Sequence, residues 1–269
     1  MRPSRTYRFS RAAFVGLALL FFGLPFYWAA ALAVSGPGAP LVASWTSLYP
    51  HRLSSRSLDI LSEFDLPITN SLIVAGATAL LSTALAAGAG YSLSRRRFGQ
   101  GLLLVTLLVV RIVPPVALMI PIFIVAVRFH LRDSIVGLIL IYTALSLPFS
   151  MWLIFVGMRS IPVEVEEAAR MDGCTRLQAA ALMARLALPA MLAAAMFAFV
   201  LAWAEFTIAL LLTESKAVTL PVALSFGRSP GEDSYVALLV LVSALPGLVL
   251  ALLVRRSLQA GNMIGSRNA

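Results

Sequence analysis

Apolar residues in this chain run in long unbroken stretches separated by short polar segments, without the alternation of a half-buried strand or the single apolar stripe of a surface helix. A helix needs about 20 such residues to cross a hydrocarbon core roughly 30 Å thick. Six stretches reach that length, near 12–34, 68–93, 101–129, 134–159, 187–213 and 234–256. The pattern predicts an all-α integral membrane protein of six transmembrane helices, with 1–269 as a single transmembrane domain. Two stretches are longer than a span requires. Tilt accounts for the excess, and Pro114, Pro115, Pro121 and Pro148 are expected to kink the third and fourth spans.

Composition agrees: 60% of the residues are hydrophobic, 12% are charged, and the mean hydropathy of +0.91 excludes an ordinary soluble domain. Arg2, Arg5, Arg8 and Arg11 precede the first stretch. That stretch is long for a signal peptide and is read as a retained span. The formal charge of +9 matters through its placement. With six spans, one side collects the N-terminal arginines, Arg95 to Arg97, Arg159, Arg170, Arg176, Arg185, Arg255, Arg256 and Arg267. The other carries Arg52, Arg56, Arg128, Arg132, Lys216 and Arg228 among Asp59, Glu63, Asp65, Asp133, Glu214, Glu232 and Asp233. The positive-inside rule places both termini in the cytoplasm of a bacterial cell membrane. The basic residues are spread over separate short loops without interleaved aromatics, so nucleic acid is not the expected partner. A single cysteine, Cys174, supports neither a disulfide framework nor a metal cluster, and no cofactor is expected.

Of the two internal loops, Ser94 to Gln100 reads as a short basic turn. The other, 160–189, is about thirty residues of helix formers where a hairpin needs a handful. Ser160 is a candidate cap, Pro162 suits a first helical position, and Glu164, Glu166 and Glu167 complement the positive helix start. Gly173 is expected to close this helix in the left-handed conformation, and a second helix should begin near Thr175. Ala168 and Ala169 give the first helix a low profile suited to a groove on a partner, against the alternative of a helix lying in the membrane interface.

Glu167-Ala168-Ala169, then Gly173, then Leu188-Pro189 resembles the EAA loop of ABC importer permeases. Asn70-Ser71-Leu72, Tyr91-Ser-Leu-Ser-Arg, Val113-Pro114-Pro115, Leu147-Pro148-Phe149 and Arg159-Ser160-Ile161-Pro162 extend the likeness to the carbohydrate-uptake group. Within it, Ala202-Trp203-Ala204-Glu205-Phe206 and Thr219-Leu220-Pro221 are similar to the second, six-span permease of maltose-type systems, with Ala204 where asparagine is usual. The interval from Gly173 to Leu188 is about three residues longer than usual, nearly one helical turn. The resemblance implies one permease of a heterodimer that carries a sugar or oligosaccharide. Its implied partners are a second permease subunit, an ABC ATPase dimer, an extracytoplasmic substrate-binding protein and membrane lipid. It also implies that Glu167, Ala168, Ala169, Asp172 and Gly173 form the ATPase-coupling segment; the tail 259–265 reads either as a further ATPase contact or as a disordered terminus.

No GxxxxGK[ST] phosphate loop occurs, and Lys216, the only lysine, falls on the external side, so energy is expected from another chain. Arg111 and Glu205 are the ionisable residues to weigh within the spans, either as a pair or with separate partners. Together with Trp203, whose ring suits a sugar face or else serves as packing or an interface anchor, they are the candidate substrate-pathway residues. A permease for glycerol phosphate or a polyol, using Arg111 for an anionic group, is an alternative. An ion-coupled secondary transporter fits less well, since no inverted repeat is visible. An intramembrane enzyme is disfavoured, because His51 and His130 fall outside, HExxH does not occur and no aspartate lies within a span.

Overall fold

Continuous apolar sequence becomes helix because a chain in lipid must satisfy every backbone N–H and C=O internally. The computed structural model describes residues 5–35, 64–95, 105, 109, 113–226, 236–249 and 252. Among these the chain is nearly all helical, with no strands. In chain order the helices are α1 (Arg5–Ala33), α2 (Asp65–Ser94), α3 (Met119–Arg128) and α4 (Ile135–Arg159). There follow α5 (Val163–Met171), α6 (Arg176–Leu186), α7 (Leu188–Trp203), α8 (Thr207–Leu212), α9 (Leu220–Phe226) and α10 (Val236–Val249). By length and composition, the Ala13–Ala33 part of α1, α2 and α4 each suffice to cross a membrane. The pair α6 and α7 passes the same test as one element bent by 70°. Most of the segment between Ser35 and Pro67, and the tail 259–265, lie outside the described residues.

The chain divides into two compact units, Met1–Asp65 with Leu224–Leu248 and Leu66–Ala223 with Val249–Ala269. In the first, Leu32 and Ala33 of α1 pack with Ala237 of α10, flanked by Trp28, Leu238 and Leu241. The rest of α1 presents Phe14, Leu17, Phe21 and Phe22 outward, as a helix facing lipid tails does.

In the second unit α4 and α7 form the most extensive pairing. Small residues allow it: a Cβ at Gly157 would collide with that of Ala190, and Ala194, Ala198 and Ala202 bury one face of α7. Gly90 brings α2 against α4 in the same way, since a Cβ there would lie 3.0 Å from the Ile154 side chain. Ala86, Ile154, Met158, Ala187 and Ala194 form the shared core. Ser82 of α2 donates to Ser150 of α4 across 3.0 Å inside it.

The prolines act differently from one another. Pro148 and Pro121 sit within helices. Pro114 lies instead in extended backbone, ψ 136°, ahead of a 3-10 turn at Pro115–Leu118 that leads into α3. Pro114 is therefore not a kink inside a helix but the extended residue ahead of one, because a residue preceding proline is disfavoured in helical conformation.

Candidate functional site

The loop between α4 and α7 folds as two helices joined by a glycine turn. Ser160 ends α4, its hydroxyl donating to the Gly157 carbonyl at 2.7 Å, and Pro162 takes the N-cap position of α5. The expected start thus moves one residue onward, with Glu164 and Glu166 in the first turn. Gly173 has φ +89°, the region that favours glycine. The Cys174 N–H donates to Ala169 O and the Gly173 N–H to Arg170 O, both at 3.1 Å, which is the Schellman closure. Thr175 then caps α6 reciprocally with Gln178.

Of the five predicted coupling residues, Glu167, Ala168, Asp172 and Gly173 are exposed side by side, while Ala169 is buried. Met171 and Leu177 add two large apolar side chains, 87% and 82% exposed, next to the turn. The glutamate the sequence did not single out is the anchored one. Glu166, 7% exposed, accepts from the Tyr91 hydroxyl at 2.6 Å and from Arg95 Nε at 2.8 Å. Arg95 also donates to the Ile161 carbonyl at 3.3 Å and lies 3.2 Å from the sulfur of Met183 in α6. Its signal is the three-residue spacing of Glu166 and Ala169, which sets both on one face of α5. Arg95 had read only as part of a basic turn.

The predicted fifth span is broken at Ala204–Phe206, between α7 and α8. Glu205 fills the break: its carboxylate accepts the N–H groups of Ile208 and Ala209, at 3.0 to 3.1 Å, and the Tyr142 hydroxyl at 2.8 Å. The first two satisfy donors that a helix start leaves open, and the third ties the break to α4. Trp203 is buried and stacks with Phe199, ring centroids 6.0 Å apart. Arg111 lies outside the described residues, and with it the choice between a pair with Glu205 and separate partners.

At the far ends of α2 and α4, the segment between α8 and α9 is held by sequence-distant side chains. Asp133, at φ 48°, accepts the backbone N–H groups of Glu214, Ser215, Lys216 and Ala217 at 3.0 to 3.1 Å. Burial alone would raise its pKa, but these four donors outweigh it and hold the carboxyl well below the usual carboxylate range. Asn70 donates to the carbonyls of Lys216 and Val218 at 2.9 Å, Ser71 accepts from Leu220 N at 2.7 Å, and Arg132 pairs with Glu214.

The sequence profile described as binding-protein-dependent transport system inner membrane component matches residues 80–260, which contain the α5–α6 turn and the break between α7 and α8. The chain belongs to this family of ABC transporter permeases. The permease is 33% identical over 210 residues to the trehalose transport system permease protein SugB of Mycobacterium tuberculosis, covering 76% of this chain and 77% of that protein. It is 28% identical over 262 residues to the diacetylchitobiose uptake system permease protein DasC of Streptomyces coelicolor, covering 94% and 95%. A solved bacterial ABC transporter involved in the import of the acidic polysaccharide alginate shares the fold of the permease. The TM-score is 0.78 at 20% identity, over 95% of this chain and 99% of that one.

Proposed function

We propose that this permease forms one half of the translocation pathway of an ATP-driven importer for a sugar or oligosaccharide. The exposed surface around Gly173 carries this reading: a helix, a left-handed glycine and a capped second helix present Glu167, Ala168 and Asp172 outward in a chain without a phosphate loop. An ABC ATPase dimer seats on that surface, and Ala169 supports it from within. Nucleotide-driven closure then moves α5 and biases the membrane bundle between inward-open and outward-open packings. The 160–189 loop and both termini lie in the cytoplasm, six helices span the membrane, and 1–269 forms one transmembrane domain. A second permease completes the pathway and an extracytoplasmic binding protein delivers cargo. The names of the trehalose and diacetylchitobiose relatives support a saccharide as that cargo.

Arg111, Trp203 and Glu205 line the pathway in this reading. Glu205 acts there by holding the break open between α7 and α8, and Trp203 through the ring it sets beside that break.

The test is uptake of labelled disaccharides, glucose-sized sugars and glycerol phosphate by vesicles holding the full assembly, with and without ATP, in wild type and Gly173→Asp. Gly173→Asp meets no neighbour within 4 Å but strains the backbone at φ +89°, so it perturbs the turn without filling a core. ATP-dependent saccharide uptake, lost in the variant, is expected. Uptake by this chain alone under an ion gradient would overturn the reading.

A further inference from the structure

A helix that receives force from a partner moves the bundle only through the elements attached to it. α5 is continuous in sequence with α4 on one side and, through α6, with α7 on the other. α2 is about seventy residues away, yet its end is tied to the same loop at three points. Tyr91 donates to Glu166 Oε1 at 2.6 Å, Arg95 Nε donates to Glu166 Oε2 at 2.8 Å, and Arg95 Nη1 donates to the Ile161 carbonyl at 3.3 Å. The same guanidinium touches Met183 of α6. Tyr91 lies in the last turn of α2 and Arg95 is the first residue beyond it, and both side chains reach the same carboxylate. Both carboxylate oxygens of Glu166 are used, one on each donor, and its side chain is shielded from solvent. A short helix whose other charged residues, Glu164, Glu167 and Arg170, all face outward has one charged group turned inward, and that group meets α2.

We propose that Glu166, Tyr91 and Arg95 are positioning residues that make α2 part of the lever driven by α5, so that nucleotide closure moves the second span together with the fourth and fifth. The inference rests on the coupling-surface reading above, and it adds a second output to that lever. Two-pronged charge-assisted hydrogen bonding resists both sliding and rotation, whereas a single apolar contact resists neither. Cutting the strap leaves the ATPase-facing surface of α5 intact and lets α2 lag behind α4. The permease then remains assembled and its ATPase continues to turn over while transport falls.

The experiment reconstitutes the complete importer in proteoliposomes and measures ATP hydrolysis and saccharide uptake in parallel. The chains compared are wild type, Tyr91→Phe, Glu166→Gln, Arg95→Ala, Glu166→Gln with Arg95→Ala, and the charge-exchanged pair Glu166→Arg with Arg95→Glu. Saccharide transported per ATP should fall by about tenfold in Glu166→Gln and Arg95→Ala, a size within ordinary coupling free energies. The double variant should be no worse than the poorer single one, because both remove one interaction. The charge-exchanged pair should recover part of the ratio. An unchanged ratio in Glu166→Gln and Arg95→Ala overturns the proposal, and so does an additive double variant. If the single variants fail to assemble, recovery of assembly and ratio by the exchanged pair supports it, and absence of recovery overturns it. Gly173→Asp separates the two readings. If it leaves ATPase attachment and uptake intact, the coupling surface itself is refuted; if it abolishes them while the strap variants keep the wild-type ratio, only the strap is.

Discussion

The Tyr142 hydroxyl donates to Glu205 Oε2 at 2.8 Å, joining the first third of α4 to the break between α7 and α8. A carboxylate set among apolar helices requires partners, and Glu205 has three in one place: the Tyr142 phenol and the amides of Ile208 and Ala209. Removing a partner from a buried polar group leaves the other unsatisfied, and that asymmetry sets the size of the effect.

Tyr142→Phe should therefore destabilise the detergent-solubilised permease by about 1–2 kcal/mol, and Glu205→Ala by about 2–3 kcal/mol because the open amides of α8 lose their acceptor. Thermal unfolding of the two single variants and the double variant measures both. The double variant should fall short of the sum, and strict additivity would show that the phenol and the carboxylate act independently.

Asp133→Ala should loosen the segment between α8 and α9, read as about tenfold faster hydrogen exchange at the amides of Glu214, Ser215, Lys216 and Ala217. The pH dependence has a definite sign. A carboxyl with a depressed folded-state pKa stabilises above its unfolded value of about 4 and loses that contribution only as pH falls through its lower folded value. Slow exchange at these amides should thus persist at about pH 4 and fade only below it. Rapid exchange already at pH 7 in wild type would contradict the geometry.

Gly157→Ala sets a methyl group against the Cβ of Ala190 and should force α4 and α7 apart, weakening the fold by about 1–3 kcal/mol. Ala190→Gly lowers helix propensity by about 1 kcal/mol on its own. Exchanging the two residues keeps both the summed propensity and the space between the helices, so the double variant should unfold close to wild type. A double variant as unstable as Gly157→Ala would mean that the close approach lies elsewhere.

Elements governed by local chemistry were legible before any coordinates. Unbroken apolar stretches announce α1, α2 and α4 because lipid leaves a backbone no alternative to helix. Gly173 and Thr175 mark the turn because a positive φ and a reciprocal cap depend on residues no more than a few positions apart. The family motifs around Glu167 likewise sit in one short segment. What the chain could not announce were the pairings between segments far apart in sequence. Three glutamates in one turn of α5 look alike on paper, and only the placement of α2 beside the loop turns Glu166 inward to Tyr91 and Arg95 while Glu167 faces out. The apolar stretch 187–213 reads as one helix, and its interruption at Glu205 is held by a tyrosine 63 residues away. Local propensity sets where helices form. Which of their polar groups meet depends on how close the backbones come, and Gly90 and Gly157 set that distance only once their neighbours are in place.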